Sequence, residues 1–254
     1  LSSTIIAYAM NSKGIRTKWI DAREMMVTNN SYLKAEPDMN AIAEKVPGVV
    51  SAAYEGMDAV ITQGFVGVTE GGEPTVLGRG GSDYSASLIG MALDADRIEI
   101  WTDVDGFMTA DPRIIKDAYV IDHLSFIESM ELCNFGAKVI YPPTIYPVFH
   151  KNIPIRIRNT FNSETNGTWI TDDQRQNTLP LKGVTSISDT TLITVKGIDS
   201  VIKTDINTRL LNSLAKNGVS ILFVAQSVND EDISFTVKNT DADTAQFVLN
   251  EEFA

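Results

Sequence analysis

Along the first two thirds of the chain, short apolar blocks alternate between helical and strand-like spacing, with polar, glycine or proline stretches between them. Residues 2–10 read as the interior of a helix, 18–21 as a strand, and 38–45 as a helix closed by Pro47-Gly48. A strand over 58–62 ends at Gly64, and residues 84–93 form the next helix. A strand over 97–101 leads into a loop through Asp111-Pro112, followed by a helix near 125–132, a proline-marked helix to Lys151 and a strand over 153–158. Strand–helix alternation of this kind predicts an α/β domain with a mostly parallel sheet covered by helices on both faces.

The pattern changes in the Asn-, Thr-, Asp- and Gln-rich stretch 159–181, whose first part reads as an irregular end and whose remainder reads as a linker. Beyond it come a strand at 192–196, a helix at 206–216 stopped by Asn217-Gly218, strands at 219–225 and 233–238, and a helix at 241–253. This βαββα order is one strand short of a ferredoxin-like unit. The expected division is 1–171 for the first domain, 172–181 for the linker and 182–254 for the second domain, with both domains incomplete at one end. Leu1 opens directly into a helix, so the expectation is a chain whose natural start lies upstream.

Composition narrows the function. Hydrophobic residues at 43% and charged residues at 21% fit an ordinary globular core, and no apolar run approaches the ~18 residues of a membrane span. A net charge of −12 excludes a basic nucleic-acid footprint. The single cysteine, Cys133, sits among apolar neighbours and reads as a buried thiol in a reducing, cytoplasmic setting.

The chemistry gathers in loops. In Leu77-Gly-Arg-Gly-Gly-Ser-Asp83 the glycines allow close backbone approach to a ligand, and Ser82 or Asp83 can cap a helix beginning near Tyr84. A helix N-terminus there offers N–H groups and partial positive charge to an anion, and Arg79 adds a bidentate partner for a carboxylate. A plain glycine turn capping a helix accounts for the loop alone equally well. It is not a Walker A loop, because no Gly-Lys-Ser/Thr follows. Trp101-Thr-Asp-Val-Asp-Gly106 lies just past the end of a strand, where parallel sheets place ligands. An EF-hand fails there, since its first and twelfth positions would be Trp101 and Pro112. Lys138 could neutralise a phosphate, and Glu36 stands before a proline-started helix; each alone reads as a solvated charge. His123 and His150 have no ligand-like spacing, and neither a zinc cluster nor a Gly-x-Ser-x-Gly elbow occurs.

In order along the chain, Ala35-Glu-Pro-Asp38, Thr62-Gln-Gly-Phe65, Leu77–Asp83, Trp101–Gly106, Thr109-Ala-Asp-Pro-Arg113 and Phe135–Val139 closely resemble the aspartokinases of the amino-acid-kinase family. That resemblance covers nearly all of 1–171. It implies ATP-dependent phosphorylation of the side-chain carboxylate of L-aspartate to 4-phospho-L-aspartate, with Mg²⁺ carried by the ATP. It assigns the substrate α-carboxylate to Arg79 and its ammonium to Glu36. Ser82 and Phe65 shape the pocket, Asp83 (with Ser82) organises the reacting centre, and Thr102, Asp103, Arg113 and Lys138 line the nucleotide site. An aspartate carboxylate is already ionised at neutral pH, so a site without a histidine base suits this reaction.

The family's Lys-Phe-Gly-Gly motif is absent from these residues, so the chain alone is expected to have little or no kinase activity. The βαββα part resembles an ACT regulatory domain. Ala225-Gln-Ser227 and Asn250-Glu-Glu-Phe253 look most like bifunctional aspartokinase–homoserine dehydrogenases, in which an NADP-dependent dehydrogenase would follow. This resemblance implies an amino-acid effector (threonine or lysine), a candidate contact at Gln226, and a homo-oligomer formed through ACT domains. The alternatives are a kinase for glutamate, N-acetylglutamate or a nucleoside monophosphate, and a non-catalytic amino-acid sensor. Neither nucleic acid nor membrane is an expected partner.

Overall fold

The computed structural model describes residues 1–172, 181–196, 203–226 and 232–253, and it divides into two compact units, Leu1–Ser186 and Ile187–Ala254. Most of the predicted linker (173–180) lies outside the described residues.

The first unit opens with helix α1 (Ser2–Ser12), which buries Ser3 and Ala7 on one face. The Asn11 side chain ties that helix to strand β1 (Thr17–Trp19), accepting from the Thr17 N–H at 3.0 Å and donating to the Thr17 carbonyl at 2.8 Å. Helix α2 (Met39–Tyr54) starts at Asp38, whose carboxylate accepts from the Asn40 and Ala41 N–H groups. The expected stop at Pro47-Gly48 does not occur, and the helix runs seven residues past the proline. An internal proline costs a helix roughly 3 kcal/mol. Ile42 and Val46, with Val49, Val50 and Ala53, pack into one cluster with Met25, Met26, Leu88 and Ala92. At about 1.5–3 kcal/mol per buried large aliphatic side chain, that contact outweighs the proline.

Strand β2 (Ala59–Ile61) pairs parallel with β1, and β3 (Val66–Val68) forms an antiparallel hairpin with β4 (Pro74–Val76). Next come α3 (Gly81–Ala92), β5 (Ile98–Thr102), β6 (His123–Leu124) and α4 (Phe126–Asn134). The Ser125 hydroxyl and the Glu128 carboxylate cap the start of α4 reciprocally. The single helix expected up to Lys151 is instead a 3₁₀ turn (Pro142–Thr144) and a short α5 (Tyr146–Phe149), because Pro142, Pro143 and Pro147 supply no N–H. The tract expected to be irregular contains a strand, β8 (Thr168–Ile170), after β7 (Ile155–Asn159).

These strands form a sheet in the order β5-β7-β8-β6, with β5–β7 and β6–β8 parallel and β7–β8 antiparallel. Ile98, Ile100, Ile155, Ile157 and Ile170 alternate onto its inner face and meet Phe107, Phe126, Ile145 and Val148. Helix α3 serves both cores of the unit: Met91 packs with this sheet, Leu88 and Ala92 with the α2 cluster. The helix is thereby held from two sides.

The second unit has the expected order β9 (Thr190–Val195), α6 (Lys203–Lys216), β10 (Ile221–Gln226), β11 (Ile233–Lys238) and α7 (Ala242–Phe253). Its antiparallel sheet runs β10-β11-β9, over a core that includes Leu210, Leu214, Phe235, Val237 and Leu249.

Candidate functional site

The glycine loop leaves β4 at Val76 and enters α3 through two left-handed residues, Gly78 (φ +78°) and Gly80 (φ +71°), conformations that a residue without Cβ adopts at little cost. Helix α3 begins at Gly81, three residues before the sequence-based expectation. Ser82 and Asp83 therefore lie in its first turn and do not cap it. Gly80 is the cap, it supplies no side-chain bond, and the Tyr84 N–H already reaches the Gly80 carbonyl. An N-terminus without a side-chain cap presents donors and partial positive charge outward.

Three backbone stretches converge on that turn. A Cβ placed on Gly80 would sit 2.3 Å from Cβ of Tyr141, and one on Gly64 would sit 2.9 Å from Cα of Ser82. Phe65 follows Gly64 at φ +76°, an uncommon value for a side-chain-bearing residue. Its N–H donates to Ser85 Oγ at 2.9 Å, and its carbonyl accepts from the Leu77 N–H at 2.9 Å. Gln63 anchors the same loop by donating to Asp21 at 2.7 Å while accepting from the Ala22 N–H at 3.3 Å. Beside the loop on another side, the Ala35 N–H donates to the Val76 carbonyl at 2.9 Å and so brings Glu36 alongside.

Burial pushes the carboxyl of Asp83 above its ordinary range, against the opposing pull of the nearby Tyr141 backbone N–H. Tyr84 is raised too, first by burial and then by Tyr141 and by the negative charge of Glu36. The rings of Tyr84 and Tyr141 meet edge to face at 6.3 Å. Glu36 is exposed and accepts from the Asn29 amide at 3.2 Å. Arg79 is exposed, and among the described residues its guanidinium has no ion-pair or hydrogen-bond partner, which leaves it available to an anion.

A second set of charges lies on the later loops. Arg113 pairs with Asp111 at 2.7 Å, and this bond, reinforced by the Arg113 N–H and by the charge of Lys138, holds the Asp111 carboxyl down at about 2. Lys138, three residues of chain before Tyr141, therefore shares the neighbourhood of Arg113 and Asp111. Thr102 ends β5 and donates to Asp103 at 3.2 Å. Among the described residues no hydrogen bond or ion pair joins Thr102 or Asp103 to Arg113 or Lys138.

Gln226 ends β10 opposite Ile233, and its side chain lies outside the described residues. Cys133 is half-buried rather than fully buried, and burial pushes its thiol up to about 11. Sequence reasoning overlooked Tyr84, Tyr141 and Gln63. Gln63 lies inside the Thr62–Phe65 motif and the two tyrosines just beyond others, but their meeting depends on contacts across 57 residues (Tyr84 to Tyr141) and 42 residues (Gln63 to Asp21) that no local pattern announces.

Residues 1–159 match the profile of the amino acid kinase family and 193–253 that of an ACT domain. The chain belongs to the amino acid kinase family. Within it, its relatives are aspartokinases. It is 34% identical over 255 residues to the bifunctional aspartokinase/homoserine dehydrogenase of Haemophilus influenzae, covering all of this chain and 31% of that one. It is 33% identical over 228 residues to the lysine-sensitive aspartokinase 3 of Escherichia coli, covering 89% of this chain and 50% of that one. The solved E. coli aspartokinase III in complex with aspartate and ADP superposes with a TM-score of 0.82 at 30% identity, over 98% of this chain and 56% of that one. The same enzyme with lysine and aspartate gives 0.76. The chain thus spans between 28% and 50% of the length of the curated relatives it matches.

Proposed function

We propose that this chain carries the aspartate-binding and nucleotide-binding parts of a cytoplasmic aspartate kinase, with an ACT unit through which an end-product amino acid regulates it. The observation that carries this reading is the α3 N-terminus without a side-chain cap, set between an unpaired Arg79 and a half-buried Asp83. A donor-rich turn flanked by a planar cation suits an anion of carboxylate size. In this assignment Arg79 takes the α-carboxylate and Glu36 the ammonium group of L-aspartate, while Phe65 and Ser82 close the pocket around it.

The reaction needs no base. One oxygen of the substrate's side-chain carboxylate bonds to the γ-phosphorus of ATP, the bond from that phosphorus to the bridging oxygen breaks, and ADP leaves. What the protein supplies is alignment and neutralisation of charge. Arg113 and Lys138, with Thr102 and Asp103, are assigned to the nucleotide, whose Mg²⁺ supplies further neutralisation. Asp83, near the Tyr141 N–H, orients the donors of the first α3 turn towards the reacting carboxylate. Lysine or threonine is the proposed effector, bound near Gln226 in a homo-oligomer joined through ACT units. An NADP-dependent homoserine dehydrogenase belongs to the reading only where the full-length protein continues into one.

Calorimetric titration of the chain with L-aspartate and with ADP tests the assignment. Binding of both ligands is expected, with aspartate binding lost in Arg79→Ala. Binding of threonine or lysine alone would leave a sensor without a kinase site. The 254 residues by themselves, which contain no Lys-Phe-Gly-Gly motif, are expected to form acyl phosphate slowly or not at all, and turnover at the rate of a complete aspartate kinase would refute that part.

A further inference from the structure

Residues 182–184 pack against the body of the first unit, to which they belong. Lys182 extends its ammonium into a half-buried position, 15% exposed, where it meets the Glu128 carboxylate at 2.8 Å and approaches the His123 carbonyl at 3.4 Å. Glu128 is the carboxylate half of the α4 capping box and accepts at the same time from the Ser125 N–H at 2.7 Å. Burial opposes its charge, but Lys182 and the Ser125 N–H prevail and hold its carboxyl below the ordinary range. Two residues on, the Val184 N–H donates to the Thr109 carbonyl at 2.9 Å. Between them Gly183 lies against the same loop, where a Cβ would come within 3.3 Å of Ile121 Cδ1 and 3.4 Å of the Thr109 carbonyl.

Thr109 opens the segment that contains Asp111 and Arg113. The Thr109 N–H donates to the Tyr119 carbonyl at 2.9 Å, and its hydroxyl accepts from the Tyr119 N–H at 3.2 Å. The base of this loop is therefore stitched on one side to Tyr119 and on the other to Val184. Its tip, with Arg113 82% exposed, is held among the described residues by local bonds to Asp111 from Arg113 and from the Ile114 and Ile115 N–H groups. Ser186 is the last residue of the first unit, so the stretch clamped here is also the covalent route to the second.

We propose that residues 182–184 are a positioning strap for the 109–113 loop, with Lys182 as its anchor, and that the strap sets the affinity of the kinase for its nucleotide. The proposal rests on the assignment of Arg113 to the nucleotide. Lys182 touches neither substrate; it acts through Glu128 and through the Val184–Thr109 bond that its anchoring keeps in register.

Steady-state kinetics of the full-length enzyme containing this chain provide the test. Lys182→Met raises the KM for ATP by about 3- to 10-fold, a size typical of coupling through packed elements, while the KM for aspartate stays within twofold (about the error of such comparisons). Lys182→Arg, which keeps the charge, restores the ATP value. Should Lys182→Met fail to fold, Glu128→Gln reads the same coupling, because its amide oxygen can still accept from the Ser125 N–H while the ion pair with Lys182 is lost. Unchanged ATP KM, an equal rise in both KM values, or no rescue by arginine overturns the strap. Arg113→Ala separates the two layers: if it alone raises the ATP KM, only the strap falls, and if it too has no effect, the nucleotide assignment falls with it.

Discussion

Gly80→Ala is the most demanding test of the loop geometry. The substitution does two things at once. It places a Cβ on a residue at φ +71°, which costs an L-residue roughly 1–2 kcal/mol. It also drives that carbon to 2.3 Å from Cβ and 2.5 Å from Cγ of Tyr141, where ordinary carbon contacts are about 3.5–4.0 Å. Relief requires the Tyr141 backbone to move by about an ångström, and overpacking of this kind costs about 1–3 kcal/mol. The sum is about 2–5 kcal/mol, and a unit of this size loses about 2–4 °C in Tm per kcal/mol. Gly72→Ala is the matched control, since Gly72 has φ +87° and nothing within 4 Å of its would-be Cβ. It carries the backbone cost without the collision. Calorimetric melting of both variants isolates the collision as their difference. Kinetics of the full-length enzyme should show a loss of at least about tenfold in kcat/KM for aspartate in Gly80→Ala only, because a displaced Tyr141 withdraws its N–H from Asp83. A Gly80→Ala protein that melts no lower than Gly72→Ala and keeps its kcat/KM would refute the argument.

Asp83→Asn should lower kcat by about 100-fold or more yet leave Tm at pH 7 unchanged or higher. A carboxyl raised by burial opposes folding above its folded pKa, and the amide lifts that opposition; a clear fall in Tm would show that its charge stabilises the turn. Arg79→Lys keeps the charge and loses the fork, so the KM for aspartate should rise by about 10-fold or more, and an unchanged KM would remove Arg79 from the α-carboxylate. Asp21 is held at about 2 by Arg23 chiefly, with Gln63 assisting, against about 3.9 in the unfolded chain. Its stabilisation is thus complete above pH ~4 and is lost as the pH falls through ~2. Acid titration should show the Tm curves of wild type and Asp21→Asn separated near pH 5 and converging towards pH 2, and parallel curves would discount the Asp21–Gln63 anchor.

Elements with strong local signals were legible from sequence. The strand over 233–238 and the βαββα order of the second unit follow from apolar alternation and from the Asn217-Gly218 stop. Local signals misled where packing decides. Proline at 47 reads as a stop, but the apolar face of α2 continues beyond it onto α3. Some short strands were hidden: β3 (Val-Gly-Val) is interrupted by glycine, β4 (Pro-Thr-Val) opens on proline, and β8 lies within a polar tract, completing a sheet whose other members come from elsewhere in the chain. The site divides in the same way. Arg79, Ser82 and Asp83 stand within five residues of each other and are proposed together from the sequence of that one segment. The partnership of Asp83 with Tyr141 exists only once the chain has folded back.

The second unit has a practical consequence for work with the protein in solution. The order β10-β11-β9 leaves β9 and β10 as the two borders of the described sheet, each with one row of main-chain donors and acceptors facing outward. Neither Thr190–Val195 nor Ile221–Gln226 contains a charged residue or a proline, and Leu192, Phe223 and Val224 are exposed on them. Borders without such gatekeepers recruit further strands. Protein concentration is therefore an experimental variable for this chain: light scattering should report a mass that grows on concentrating the sample, and ligand affinities are comparable only between samples held at the same dilution.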